Sequence, residues 1–268
     1  MGYNFFGRQD IPVEAIMPAV AQHYAELGVG TLIALAIVWG LRNLLAKGDA
    51  RLLICMIAGF IAIPMESHAM GMMKFVYPPV GQDVLITAFG RPIPLFMGFM
   101  YSAFYGVANY IYLNSELSSR WSAKTFWVGI ASLVGAEALL EFVCLHLGLW
   151  AYFDDQPFVI LDFPIHVAIV VACMCMVYGA FSRLWFDRVK GAQQWLLLII
   201  GPAVLIASCT VFSFPLALGL DASGGLTDAR IGSAISIALG LSLACGLVRA
   251  LSSTTESTDR MADPTTAA

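Results

Sequence analysis

The chain has 268 residues, of which 59% are hydrophobic and 12% are charged, with a mean hydropathy of +0.80. Soluble domains are about 45–50% apolar and about 25% charged, so this composition excludes an ordinary soluble protein. The net charge of −4 and the absence of a basic run exclude a nucleic-acid-binding surface, because such surfaces are strongly positive.

Seven apolar stretches follow one another along the chain, each long enough to cross a bilayer as a helix. About 20 apolar residues span the hydrocarbon core, and a helix satisfies its own backbone groups where no water is present. The predicted spans are 20–41, 52–73, 92–113, 125–147, 159–182, 194–219 and 230–251. The sequence therefore predicts an all-α fold, a polytopic transmembrane helical bundle with about seven spanning helices over residues 20–251.

The basic residues of the short connections predict the orientation, because Lys and Arg collect on the cytoplasmic side. With the N-terminus outside, ten of the 14 Lys and Arg residues fall on the cytoplasmic side and four on the outer side. We therefore expect an outer N-terminal segment over 1–19, and a disordered cytoplasmic tail rich in Ser, Thr and Asp over 252–268. The N-terminal residues lack the pattern of a cleaved signal peptide.

Two outer connections are rich in aromatic residues and proline. Residues 74–91 are half apolar and are predicted to lie in the interface or to re-enter the membrane. Residues 149–157 carry Trp150 and Tyr152, as an outer aromatic belt does. The second and third predicted helices carry the same features in the same order as the fourth and fifth. This order predicts a parallel internal repeat. The matching features are a late glutamate (Glu66, Glu141), a Pro-Ile pair (Pro92-Ile93, Pro164-Ile165) and a Tyr-Gly pair (Tyr105-Gly106, Tyr178-Gly179).

Ionisable side chains within the predicted spans are candidates for function, because each costs about 2.5–3.5 kcal/mol to insert into hydrocarbon. They belong to the first, second, fourth and fifth predicted helices. They are His23, Glu26, Glu66, His68, Glu137, Glu141, His146, Asp162 and His166. Together they predict a polar pocket between those four helices that opens to the outer side.

Glu137 and Glu141 form the strongest candidate pair, because an i,i+4 spacing puts both side chains on one helix face. Two carboxylates one turn apart in a poorly solvated place cannot easily both be ionised. One is expected to keep its proton while the other stays basic, which predicts a general acid and a general base.

Glu66, Asp162 and His166 are predicted as supporting or alternative proton carriers. Asp162 and His166 share the i,i+4 spacing, whereas Glu66 and His68 should point to different sides of their helix unless Pro64 distorts the turn. Asp162 has a second interpretation with equal weight. It lies two residues before Pro164, where it could cap the start of a helix.

The predicted substrate-binding residues are Arg91, Glu26, Tyr105, Trp150 and Tyr152. Arg91 could instead contact a lipid headgroup or serve as a counter-ion for the carboxylates, and Glu26 could pair with His23. No metal is predicted, because the chain lacks the Glu-x-x-His motifs of di-metal carboxylate bundles. No cofactor is predicted either, because a glycine-rich phosphate loop is missing from the sequence.

Several short motifs between about residues 60 and 180 resemble those of the AveC-like spirocyclase family. They are Phe89-Gly90-Arg91-Pro92-Ile93-Pro94 before a helix with Tyr105-Gly106, the upstream Glu66 and Tyr77-Pro78-Pro79, and Asp155-Gln156-Pro157 before Phe163-Pro164. The resemblance implies a polytopic membrane protein of secondary metabolism that closes a dihydroxy-ketone to a spiroketal with an associated dehydration. The family offers no catalytic assignment to transfer. The layout is also similar, more distantly, to seven-helix membrane terpene cyclases, which protonate an isoprenoid.

These observations lead to one main hypothesis and two alternatives. The main hypothesis is a cyclase or dehydratase embedded in a bacterial cytoplasmic membrane, acting on a lipophilic polyketide or isoprenoid with Glu137 and Glu141 as the acid and base. The alternatives are a proton-coupled transporter, which also needs intramembrane carboxyls, and a membrane subunit without catalytic activity. The oligomeric state stays open.

Overall fold

The computed structural model describes residues 14–114 and 122–262, with side chains described as far as residue 250. Within these residues the chain is mainly helical, with six short strands. The helices are α1 (Ala19–Lys47), α2 (Arg51–Ile61), α3 (Pro64–Met73), α4 (Leu95–Tyr101), a π-helix (Ser102–Ala108), α5 (Asn109–Leu113), α6 (Ala123–His146), α7 (Ile165–Arg188), a 3-10 helix (Gly191–Leu196), α8 (Leu197–Asp221) and α9 (Leu226–Ala262). The strands are β1 (Phe75–Val76), β2 (Val84–Ala88), β3 (Arg91–Pro94), β4 (Ala151–Tyr152), β5 (Val159–Ile160) and β6 (Phe163–Pro164).

Five helical segments in the described ranges are long and apolar enough to cross a membrane. They are Ala19–Lys47, Ala123–His146, Ile165–Arg188, Gly191–Asp221 and Leu226–Ala250. Helices α2 and α3 pass the same test together but are bent by 54°, which raises the number of candidate spans to six. The chain is therefore an integral membrane protein with an all-α helical bundle, whereas the seventh span and the orientation stay predictions.

The bend between α2 and α3 has a local cause. Pro64 is the first residue of α3, and proline has no N–H to continue a helix and collides with the preceding turn. The break brings the first turn of α3, with Glu66, into the interior of the bundle, where this side chain is 5% exposed. His68, two residues later, faces α8 instead and lies 3.0 Å from Thr210 Oγ1. The prediction that these two side chains point to different sides of the helix is confirmed.

The strands lie between α3 and α4 and between α6 and α7, at one end of the bundle that we call the hairpin side. Strands β2 and β3 form a hairpin through Phe89 and Gly90, and β5 and β6 form another through Leu161 and Asp162. All four turn residues have positive φ, between 50° and 76°. A two-residue turn with this geometry matches the twist of the strands.

The predicted start of the fifth span at residue 159 is wrong. Residues 159–164 belong to the second hairpin, and α7 runs from Ile165 to Arg188. The positive φ values of Leu161 and Asp162 cannot occur within an α-helix, and Pro164 suits a helix start because its fixed φ and missing N–H are tolerated there. The third predicted span likewise starts late, at Leu95, because residues 91–94 form β3.

The two connections are built alike. Each runs from a glutamate-bearing helix through a short strand and a hairpin into the next helix. Strands β1 and β4 pair with one another in antiparallel fashion, with Phe75 opposite Tyr152 and Val76 opposite Ala151. Pairing of equivalent strands in this way is the expected result of a repeat related by an approximate twofold axis, and it follows the order of the predicted internal repeat.

Helix α7 forms the centre of the bundle, because 72% of the residues in its apolar 18-residue segment are buried, compared with 22% for α1 and 28% for α6. Helices α6, α8 and α9 pack around it, whereas α1 packs against α4 at the edge. Helix α9 continues to Ala262, so it includes the first residues of the predicted disordered tail, which starts at residue 252. Adding a residue to an existing helix needs no new nucleus, so a polar extension can continue the helix.

Candidate active site

A cavity of about 80 Å³ lies inside the bundle next to the hairpin side. Side chains from α3, α4, the π-helix, α6, α7, α8 and the strand regions line it. Most of the lining is apolar, but three carboxyl groups share the cavity, those of Glu66, Glu137 and Glu141. Their side chains are 5%, 8% and 7% exposed, respectively. A buried carboxyl must be paired or hydrogen-bonded to offset the loss of water, so the partners of the three groups indicate their roles.

Two phenol groups hold the Glu66 carboxyl. Tyr77, in the segment after β1, donates to Oε1, and Tyr101, at the end of α4, donates to Oε2 over 2.6 Å. Burial and the neighbouring Glu66 carboxyl raise the pKa of Tyr77 well above its usual range. The Tyr77 phenol therefore keeps its proton, and Glu66 is an acceptor with both oxygens satisfied.

The Glu141 carboxyl is held in a similar way. Trp150 Nε1 donates to Oε2 over 2.8 Å, and the Tyr152 hydroxyl donates to Oε1 over 2.9 Å. Burial and the Glu141 carboxyl raise the pKa of Tyr152 well above its usual range, so this phenol also stays protonated. The β1–β4 pair carries Tyr152 itself and lies just before Tyr77, so a single strand pairing helps to place the donors for Glu66 and Glu141.

Glu137 differs from the other two carboxyls. It lies one turn before Glu141 on α6 and lines the same cavity. No side chain in the described ranges donates a hydrogen bond to it, although it is as deeply buried as Glu66 and Glu141. Its oxygens are therefore available to a molecule in the cavity.

A close crossing of α2 with the π-helix positions Tyr101 and Tyr105. A Cβ atom on Gly106 would lie 2.6 Å from Met56 Cα, and one on Gly59 would lie 2.6 Å from the Tyr101 carbonyl oxygen. Only glycine permits so close an approach of two backbones. A π-helical turn is rare, and it often occurs at a functional site.

Six of the predicted site residues meet at the cavity, namely Glu66, Glu137, Glu141, Tyr105, Trp150 and Tyr152. Sequence reasoning missed Tyr77 and Tyr101 as the donors to Glu66. A signal for Tyr77 was present, because Tyr77 follows Glu66 by 11 residues and Tyr152 follows Glu141 by the same 11 residues.

Two of the predicted proton carriers lie elsewhere. Asp162 is exposed at the tip of the β5–β6 hairpin, with φ of 64°. It does not cap α7 either, because the residue that precedes this helix is Pro164. His166 is fully buried in the first turn of α7 without lining the cavity, and its Nδ1 lies 3.1 Å from the Pro157 carbonyl oxygen.

Two of the predicted substrate-binding residues are also remote from the cavity lining. Arg91 packs on α3, since a Cβ atom on Gly71 would lie 3.4 Å from Arg91 Nη1. In the described ranges no carboxylate forms an ion pair with Arg91, so it is not a counter-ion for the site. Glu26 lies on α1, which contributes no side chain to the cavity.

The position of the predicted pocket therefore needs one correction. The second, fourth and fifth predicted helices line it, but the first does not, and the segment of α4 and the π-helix takes its place. Helix α1 packs outside α4, which separates it from the interior. Over residues 14–114 and 122–250, no group of three or more His, Cys, Asp or Glu side chains is arranged to hold a metal ion.

Comparison with known proteins gives no further assignment, because no family model, curated protein or solved structure matches this chain.

Proposed function

We propose that this chain is a membrane-embedded enzyme that uses buried carboxyl groups as general acid and base on a lipophilic substrate. One observation carries the proposal. Three carboxyls share a single, mostly apolar cavity, and two of them are held by donors, while no described side chain donates to Glu137. A packed structural core would be expected to satisfy all three, because an unsatisfied buried polar group is destabilising.

Each carboxyl has a distinct part in the proposed chemistry. Glu137 gives a proton to a substrate oxygen, since no side chain in the described part of the chain donates to its oxygens. Glu141 takes a proton from the attacking hydroxyl, and the donors Trp150 and Tyr152 keep it in place. Glu66 lies on the other wall as the second acceptor. A positioned acid and base contribute about 10²–10⁴-fold each to a rate.

Cyclisation with loss of water fits these roles. In a dihydroxy-ketone, Glu137 protonates the carbonyl oxygen while one hydroxyl attacks the carbonyl carbon and gives its proton to Glu141. The resulting hemiketal hydroxyl takes the proton back from Glu141 and leaves as water. The second hydroxyl then attacks the same carbon, closes the spiroketal and returns a proton to Glu137. The sum is one dihydroxy-ketone converted to one spiroketal and one water, so no further reactant is needed.

The resemblance to AveC-like spirocyclases supports a polyketide as the substrate, and the distant similarity to membrane terpene cyclases supports an isoprenoid. Two residues of the resembling motifs, Glu66 and Tyr77, form one of the hydrogen-bonded pairs at the cavity. Both reactions transfer a proton to an oxygen or an alkene within an apolar cavity. Such a transfer needs an acid, a base and a correctly oriented substrate but little else.

We further propose seven spans, with the N-terminus outside, in a bacterial cytoplasmic membrane. The span added to the six candidates is third in chain order. It is the continuous helical run of α4, the π-helix and α5, which have seven, seven and five residues. At 1.5 Å per residue this run is about 28 Å long, close to the roughly 30 Å of a hydrocarbon core. The excess of basic residues in the predicted cytoplasmic connections supports the orientation.

The test is comparative mass spectrometry of lipid extracts from cells without the gene, with the gene, and with Glu137→Gln alone or together with Glu141→Gln. Glu26→Gln is the matched control, because Glu26 lies on a membrane helix but not at the cavity. We expect a lipophilic metabolite that isomerises or loses one water with the intact protein and with the control, but not with the Glu137 variants. Extracts that are identical in all cells would refute the enzyme and favour a transporter or a non-catalytic subunit.

A further inference from the structure

A second cavity, of about 190 Å³, adjoins the carboxyl cavity. Phe104 and Tyr105 of the π-helix line both cavities and form the partition between them. The second cavity is larger than the roughly 150 Å³ apolar cavity that is known to accept benzene in another protein. Among the described residues, none of the side chains that line it belongs to Asp, Glu, Lys, Arg or His.

The second cavity exists because α6 packs on α7 and leaves a gap toward α5 and the π-helix. Gly129 is one of three α6 residues that line this gap, with Ser132 and Leu133, and it is buried. A Cβ atom at Gly129 would meet only the Met176 side chain, at 3.7 Å. The small residue therefore keeps open a space that a larger side chain would fill.

The gap also reaches the membrane-facing surface of the bundle. Ile111 of α5 and Ser132 of α6 both line the cavity, and both are exposed, Ile111 by 55%. Ser132 lies in a candidate membrane-spanning helix, and Ile111 lies in the proposed span of α4, the π-helix and α5 rather than in the hairpin side. A hydrocarbon chain can therefore enter sideways, from the bilayer, without crossing water.

We propose that the second cavity binds the hydrocarbon arm of the substrate while the reactive end lies among the carboxyls. This inference rests on the proposed function and narrows its substrate to molecules with a polar, reactive head and an unbranched or isoprenoid apolar arm. The argument rests on the two side chains that both cavities share, Phe104 and Tyr105, and on the lateral opening beside Ile111.

The experiment uses hexadecanol with a diazirine at the end of its hydrocarbon chain as a photoreactive probe of the full-length protein in nanodiscs. In the unmodified protein we expect the labelled residues to map to the second cavity, such as Leu133 and Met176. Label that maps to other surfaces would overturn the proposal. Loss of labelling in the presence of excess dioleoylphosphatidylcholine would also overturn the proposal, because the second cavity would then bind ordinary bilayer lipid.

Two matched variants on one helix test the same point. Gly129→Leu fills the second cavity, whereas Gly135→Leu adds the same side chain where no atom lies within 4 Å of the new Cβ. We expect about tenfold less label in Gly129→Leu, equivalent to about 1.4 kcal/mol, and unchanged label in Gly135→Leu. Equal labelling of both variants would overturn the proposal.

Product analysis of the same variants separates this inference from the proposed function. If Glu137→Gln loses the product but Gly129→Leu is labelled as strongly as the unmodified protein, the arm site is rejected and the acid/base proposal stands. Loss of label in Gly129→Leu with product still formed by Glu137→Gln would reject the acid/base proposal and leave a hydrocarbon-binding cavity.

Discussion

The Tyr152 hydroxyl donates a hydrogen bond of 2.9 Å to the carboxyl of Glu141, 11 residues earlier in the chain. The Tyr77 hydroxyl likewise donates a hydrogen bond to the carboxyl of Glu66, also 11 residues earlier. In each case the helix that carries the glutamate ends and the chain turns back as a short strand. The two strands pair side by side, so the two carboxyls enter one cavity from opposite halves of a repeat.

The Tyr152–Glu141 bond should stabilise the fold as well as orient the base. A double-mutant cycle with Tyr152→Phe and Glu141→Gln should give a coupling free energy of about 1.5–3 kcal/mol, the range for hydrogen bonds to a charged group. The measurement is reversible unfolding in mixed micelles. Tyr24→Phe is the control, because Tyr24 is 67% exposed on α1. Additive effects of the two site substitutions would show that the bond makes no net contribution.

The crossing of α2 and the π-helix should not tolerate a methyl group. Gly106→Ala places a Cβ atom against the Met56 backbone, and overpacking of this kind costs about 1–3 kcal/mol of unfolding free energy. Gly135→Ala meets no atom within 4 Å and should instead stabilise by about 0.4–1 kcal/mol, because alanine lowers the entropy of the unfolded chain. Thermal unfolding in detergent compares the two. Equal melting temperatures would contradict the close approach.

The connection between α1 and α2 should make stability depend on pH. Arg51 donates to both carboxylate oxygens of Asp49, over 2.9 and 2.8 Å, and these bonds lower the pKa of Asp49 below its usual 3.8. Because the folded pKa is the lower one, this contribution is complete above pH 3.8 and is lost as the pH falls through the folded value.

The corresponding measurement is the difference in melting temperature between the unmodified protein and Arg51→Gln. This difference should be largest near neutral pH and should shrink as the pH drops below the usual Asp49 value of 3.8. Lys47→Gln removes an exposed cation close by and should show no such trend. A difference that stays constant across the pH range would mean that the Asp49–Arg51 pair has no role in it.

The proposed orientation can be tested with single cysteines in a variant lacking the native cysteines, all six of which are free. Asp162→Cys lies at the exposed hairpin tip, and Arg188→Cys lies at the exposed opposite end of α7. A membrane-impermeant maleimide should label Asp162→Cys in intact cells and Arg188→Cys only after permeabilisation. The reverse pattern would invert the topology, and labelling of both in intact cells would show that α7 does not span the membrane.

Much of this protein could be predicted from local patterns. Composition alone determined the membrane class, because apolar stretches of about 20 residues have no other stable environment. The i,i+4 spacing placed Glu137 and Glu141 on one face of α6, since helix geometry is a property of neighbouring residues. The same reasoning failed at Asp162, where a two-residue turn with positive φ ended a segment whose hydrophobicity had suggested a longer helix.

Only the tertiary structure decided which groups share the cavity. Glu66 joins the α6 pair because a bend at Pro64 turns it inward and because β1 pairs with β4, some 75 residues later in the chain. Such contacts depend on the packing of distant segments, so local hydropathy and periodicity do not predict them. The sequence by itself therefore determined a membrane bundle with buried carboxyls, whereas long-range packing decided that two of them are held by donors and that Glu137 receives none from the residues that the structure describes.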